Sequence, residues 1–73
     1  MQQAFTGTVD DLKKAVAASG LDGHWVDEGE FFEFHADDGP ALNFWPEKKI
    51  IMLQGAPARA KKFEERLRPY LNA

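Results

Sequence analysis

The 73-residue chain contains no cysteine and a single serine, and it has no apolar run near the roughly 20 residues needed to span a bilayer. The absence of cysteine excludes disulfide staples, thiolate metal sites and a thiol nucleophile, and it suits a reducing compartment, so a cytoplasmic protein is expected. The one serine, Ser19, falls where a helix is expected to end, and no Ser-His-Asp arrangement can be built around it. The opening MQQAFTG has neither the basic nor the apolar region of a secretory leader, so no leader and no membrane partner are expected. Its glycines follow no phosphate-loop or dinucleotide-binding spacing.

What is present is 44% hydrophobic and 29% charged, enough for one small domain over residues 1–73. A chain of this length buries only about 60% of its extended surface, so nearly every apolar stripe is needed for the core and a deep catalytic pocket is not expected. The net charge of −3 hides an imbalance: residues 1–38 carry −7 and residues 39–73 carry +4.

Thr8 followed by Asp11 resembles a capping box, and Val9, Leu12, Ala15 and Val16 share one face at helical spacing while Lys13 and Lys14 point away. Gly20 offers the left-handed position that commonly ends a helix, so the pattern predicts a helix from Val9 to Ser19. The period then changes to two. Trp25-Val26 and Phe31 to Ala36 read as strands around a tight turn at Glu28-Gly29. Ala41 to Trp45 and Lys49 to Gln54 read as two more, joined by Pro46-Glu47-Lys48. Pro57 suits the first position of a second helix. Ala60, Phe63, Leu67 and Tyr70 or Leu71 form its apolar stripe, and Pro69 is expected to end or kink it near Arg68.

With a possible edge strand at Ala4-Phe5-Thr6, the expected fold class is α+β: a two-layer β-α-β-β-β-β-α domain with both helices on one face of a curved antiparallel sheet. Alternation assigns Phe32, Phe34, Ala36, Leu42, Phe44, Ile51 and Leu53 to the helix side. The other side receives Phe31, Glu33, His35, Asn43, Trp45, Ile50, Met52 and Gln54, with Trp25 as a possible addition. Such a face is too polar for a core and too apolar for plain solvent. It fits a homodimer or protein interface, or cross-strand pairs that only stabilise the sheet. It also fits a platform on which Trp45, Phe31 and His35 stack with bases.

The element order matches the TATA-binding-protein-like fold. The run Ala41-Leu42-Asn43-Phe44-Trp45, Pro46-Glu47-Lys48-Lys49, Ile50-Ile51-Met52-Leu53-Gln54-Gly55 resembles the N-terminal substrate-binding domain of bacterial type-three ribonuclease H. Small phage-type proteins carry a similar asparagine-aromatic, turn, strand, Gln-Gly pattern. The resemblance covers the C-terminal half. It departs from the pattern at Pro46-Glu47-Lys48, where the family has glycine, and at Leu53, where it has phenylalanine. What it implies is a sheet module that binds nucleic acid, single-stranded or an RNA–DNA hybrid, or another partner; it does not imply cleavage.

No side chains point to chemistry. His24 and His35 are eleven residues apart, and a tight turn at Glu28-Gly29 would place His24 beside Glu33, leaving His35 without a second histidine. No metal site, cofactor or catalytic group is expected. Lys48, Lys49, Lys61 and Lys62 could form one positive area able to neutralise phosphates, or a solvated surface self-neutralised by pairs such as Lys61–Glu65 and Lys62–Glu65. Asp27, Glu28, Glu30 and Glu33 cluster around one hairpin, as an acidic surface for a basic protein partner or as solubilising loop residues. The sequence therefore predicts a non-catalytic binding module. Nucleic acid is the partner the resemblance implies, and a protein partner or a second copy is the alternative.

Overall fold

Thr8 opens the first helix as expected. In a computed structural model, which describes residues 1–71, its Oγ1 accepts from the Asp11 N–H at 3.2 Å and Asp11 Oδ2 accepts from the Thr8 N–H at 2.9 Å. Helix α1 (Val9–Ala18) follows and ends at Gly20, whose φ of 78° is the left-handed conformation that glycine adopts without strain. The sheet contains β1 (Gln2–Ala4), β2 (Gly23–Asp27), β3 (Phe32–Ala36), β4 (Ala41–Trp45) and β5 (Ile50–Gln54), and helix α2 (Pro57–Leu71) closes the order. All neighbouring strands are antiparallel, in the order β1-β5-β4-β3-β2. The opening stretch does pair, two residues earlier than the expected edge strand, with Gln3 opposite Ile51.

Both helices pack on one face. Leu12, Ala15 and Val16 of α1 and Phe63 and Leu67 of α2 share one buried cluster with Phe34, Ala36, Leu42, Phe44, Ile51 and Leu53. Phe5 meets Phe44 edge-on, with centroids 5.5 Å apart and planes at 85°. Arg66 and Arg59 tie α2 to the loops, donating to the carbonyls of Ser19 (3.2 Å) and Asp38 (2.9 Å). Among the described residues no helix is long and apolar enough to cross a membrane.

Five expectations need correction. The β2–β3 connection is not a two-residue turn at Glu28-Gly29 but a four-residue loop, 28–31. Asp27 Oδ1 accepts from the Gly29 N–H and the Phe31 carbonyl accepts from the Glu28 N–H, both at 2.9 Å. The longer loop shifts the register, so His24 pairs with His35 rather than Glu33. Trp25 pairs with Phe34, and directly opposed residues share a sheet face, so Trp25 lies on the helix side and not on the open face. Its ring packs on Phe34 with centroids 5.1 Å apart, and Lys13, expected to point away, places Nζ 5.8 Å from it. Helix α2 continues through Pro69 to Leu71. Proline there removes a single backbone donor in the last described turn, a smaller loss than in mid-helix.

The capping box has a pH signature. Hydrogen bonds from the Thr8 backbone and side chain hold the Asp11 carboxyl below its ordinary value of 3.8. A carboxylate held low stabilises the fold where it is ionised, above its unfolded-chain value, and that contribution is lost as pH falls through the folded value. We therefore expect Asp11→Asn to lower stability at neutral pH and to flatten the acid limb of a urea-midpoint-against-pH profile below about pH 4. An unchanged acid limb would mean that the box contributes nothing.

Candidate functional site

The face away from the helices is built from register. Rows of directly opposed residues cross it: Val26, Glu33, Asn43, Met52 and Gln2 in one; His24, His35, Ala41 and Gln54 in the next. The third contains Trp45, Ile50 and Ala4. Phe31, in the loop rather than in β3, lies over Trp45 with centroids 5.2 Å apart and planes 28° from parallel. The shifted register stacks His24 on His35, with centroids 5.2 Å apart and planes 19° from parallel. His35 Nε2 meets Glu33 Oε1 at 2.7 Å, with the His35 side chain 44% exposed and that of Glu33 21% exposed.

The structure thus brings Phe31, Glu33, His35, Asn43, Trp45 and Met52 onto one surface, as alternation predicts. The site residue whose weight the sequence does not show is Asn43. It is only 6% exposed although no helix covers its face, and its Oδ1 is buried without a hydrogen-bond partner. Leaving a buried acceptor unpaired costs about 1–3 kcal/mol. Only the register, which sets Asn43 between Glu33 and Met52, shows that neighbours close over it.

The charged groups divide. The loop bearing Asp27, Glu28 and Glu30 and the turn bearing Lys48 and Lys49 occupy the same end of the sheet, because Phe32 pairs with Phe44 and Trp45 with Ile50. Lys61 and Lys62 are not joined to Lys48 and Lys49. They lie in the first half of α2, where Lys61 borders a hollow with Met1, Leu53 and Gln54 at the opposite end of β5. The single positive area expected of the four lysines is therefore split in two. Among the described residues the ion pair on α2 is Glu64–Arg68, in place of Lys61–Glu65 or Lys62–Glu65.

Lys49 is the one described non-glycine residue with positive φ, at 56°. Its N–H donates to Trp45 O and its carbonyl accepts from Phe5 N–H, both at 2.8 Å. The turn demands the left-handed conformation, and a side chain there costs about 1 kcal/mol relative to glycine. His24, His35 and Glu33 lie close together, but among the described residues no group of three or more His, Asp or Glu side chains is arranged to hold a metal ion.

Comparison with known proteins found no match: no family, no curated protein and no solved structure is significantly similar to this chain.

Two costs on this face are measurable. Asn43→Leu removes an unpaired buried acceptor and should raise folding stability by about 1 kcal/mol in urea denaturation. Lys49→Gly should stabilise by a similar amount, about 1 kcal/mol, by relieving the left-handed backbone. A loss of stability in Asn43→Leu would show that the amide has partners in solution.

Proposed function

We propose that this chain is a non-catalytic binding module whose working surface is the open sheet face, and that its partner is a protein surface. The observation that carries this reading is a sheet face that no described element covers and that nevertheless holds the stacked Phe31–Trp45 pair, Val26 and Met52 around a buried Asn43. Around it, Met52, Val26 and the Phe31–Trp45 pair supply apolar and aromatic area, as at the centre of protein interfaces. The finer fold reading, a TATA-binding-protein-like domain, is supported by the order β-α-β-β-β-β-α.

Charge favours protein over nucleic acid. Glu33 lies in the middle row, Asp27, Glu28 and Glu30 crowd one end, and the cations beside the face are Lys48 and Lys49. Phosphate binding draws its strength from Lys and Arg set along the strand's path, and this face has an acidic centre instead.

A second reading has its own observation. The Phe31–Trp45 stack stands beside the Lys48-Lys49 turn, and together they form an aromatic platform with cations at its edge. Single-stranded DNA or an RNA–DNA hybrid could stack there.

A titration separates the two readings. In Trp25→Phe, Trp45 is the sole tryptophan and reports on the open face. Adding single strands or RNA–DNA hybrids at low salt should leave its emission unchanged. Quenching that weakens steeply with added salt would replace the protein reading with the nucleic-acid one.

A further inference from the structure

At one end of the open face, an acidic loop and a turn bearing two lysines beside Glu47 are placed so that they can match each other across a two-fold axis, although Glu33 keeps the centre acidic. The acidic loop, 28–31, joins β2 to β3 and the lysine-bearing turn, 46–49, joins β4 to β5. Both project from the same end of the sheet, on either side of the boundary between β3 and β4. A two-fold axis laid along that boundary, parallel to the strands, exchanges left and right but keeps that end in place. It sets β3 over β4 of a second copy and β2 over β5, and it brings the loop of each copy onto the turn of the other, twice. Glu28 and Glu30, with Asp27 beside them, then face Lys48 and Lys49.

We propose that the partner of the open face is a second copy of this chain, paired face to face about an axis along the β3–β4 boundary. This rests on the open-face reading above and names its occupant. Isologous pairing requires a patch complementary to itself, and the placement of these two loops supplies it. The strand axes of the two sheets are then aligned, with each strand facing one of opposite sense, the aligned arrangement that packed sheets favour. In the central row the axis sets Val26 over the partner's Met52, apolar on apolar, and Glu33 over the partner's Asn43, whose side-chain amide N–H can donate to that carboxylate while its Oδ1 stays unpaired. At the far end His24 meets the partner's Gln54, a donor-bearing side chain.

The size of the face sets the strength. Four facing strands about 4.8 Å apart and five residues long at about 3.3 Å each give roughly 300 Å² of flat footprint before the loops are added. Counted over both copies that is roughly 600 Å², below the level of about 1,000 Å² that a stable specific interface clears, so the loop–turn contacts must add area and the pairing is transient. The dimer is therefore weak, concentration-dependent and sensitive to salt. The left-handed Lys49 fits the same picture, because glycine serves the turn better and lacks the cation.

The test is a charge swap read by sedimentation equilibrium over a dilution series of about three decades. The native chain should pass from monomer to dimer. Glu28→Lys with Glu30→Lys should weaken self-association at least about tenfold, and so should Lys48→Glu with Lys49→Glu. Mixing these two double variants should restore dimer, since both loop–turn contacts of the mixed pair are again between opposite charges. All four positions are exposed, so folding is retained, and circular dichroism checks it.

Trp45 emission, followed in Trp25→Phe over the same dilution series, separates the two ways of failing. A chain that stays monomeric throughout overturns the dimer and leaves the open face to a different protein. A dimer that forms without moving Trp45 emission uses another surface, and overturns the open-face reading with it. Double variants that dimerise like the native chain, or a mixture that does not recover, overturn the proposed axis.

Discussion

Both helices bury their apolar stripes against the same side of the sheet, and every other property of the domain follows from that one packed layer. Leu12, Val16, Phe63 and Leu67 complete a core whose floor is Phe34, Leu42, Phe44 and Ile51. The described elements provide no third layer on the opposite face. That face must be soluble alone and still ordered, and its composition shows both demands. Aromatic and imidazole rings stack in pairs on it, Phe31 with Trp45 and His24 with His35, each ring shielding part of its neighbour from water.

Local rules are obeyed almost throughout: a capping box at Thr8 and Asp11, a glycine at the left-handed end of α1, and side-chain alternation in β3 and β5 that β4 breaks only at the buried Asn43. Two departures stand out. Asn43 buries an unpaired carbonyl oxygen, and Lys49 takes a conformation better suited to glycine. The first is at the centre of the uncovered face and the second in the turn at its edge. Departures from local consistency that gather on one surface are the pattern expected where recognition, and not folding, selects the residues. Neither helps the isolated chain fold.

Much of the fold was legible in the sequence because it depends on short-range periodicity. Phe34, Leu42, Phe44, Ile51 and Leu53 were separable from Glu33, Asn43, Trp45 and Met52 by alternation alone, and the helices by their caps and stripes. What was not legible depends on loop length and long-range pairing. Glu28-Gly29 has the composition of a two-residue turn, yet Asp27 captures the Gly29 N–H and makes the loop four residues long. That change moved His24 from beside Glu33 to beside His35. Trp25 reads equally well on either face until its partner is known, and Phe34 decides it. The burial of Asn43 had no signal in the sequence, because it depends on its place in a central strand between Glu33 and Met52. The separation of Lys61 and Lys62 from Lys48 and Lys49 follows from α2 starting at the opposite end of β5 from the 46–49 turn.

The central claim is that the uncovered face is where this protein meets a protein partner, a second copy of itself. Backbone and side-chain amide chemical shifts followed by NMR as the chain is concentrated test it most directly, residue by residue. The account predicts shifts confined to Val26, Glu33, His35, the Asn43 side-chain amide, the Trp45 indole and Met52, together with the 28–31 and 46–49 loops, while the outward residues of α1 and α2 stay still. Shifts that instead map to the helices, or a spectrum that does not change with concentration, would contradict it.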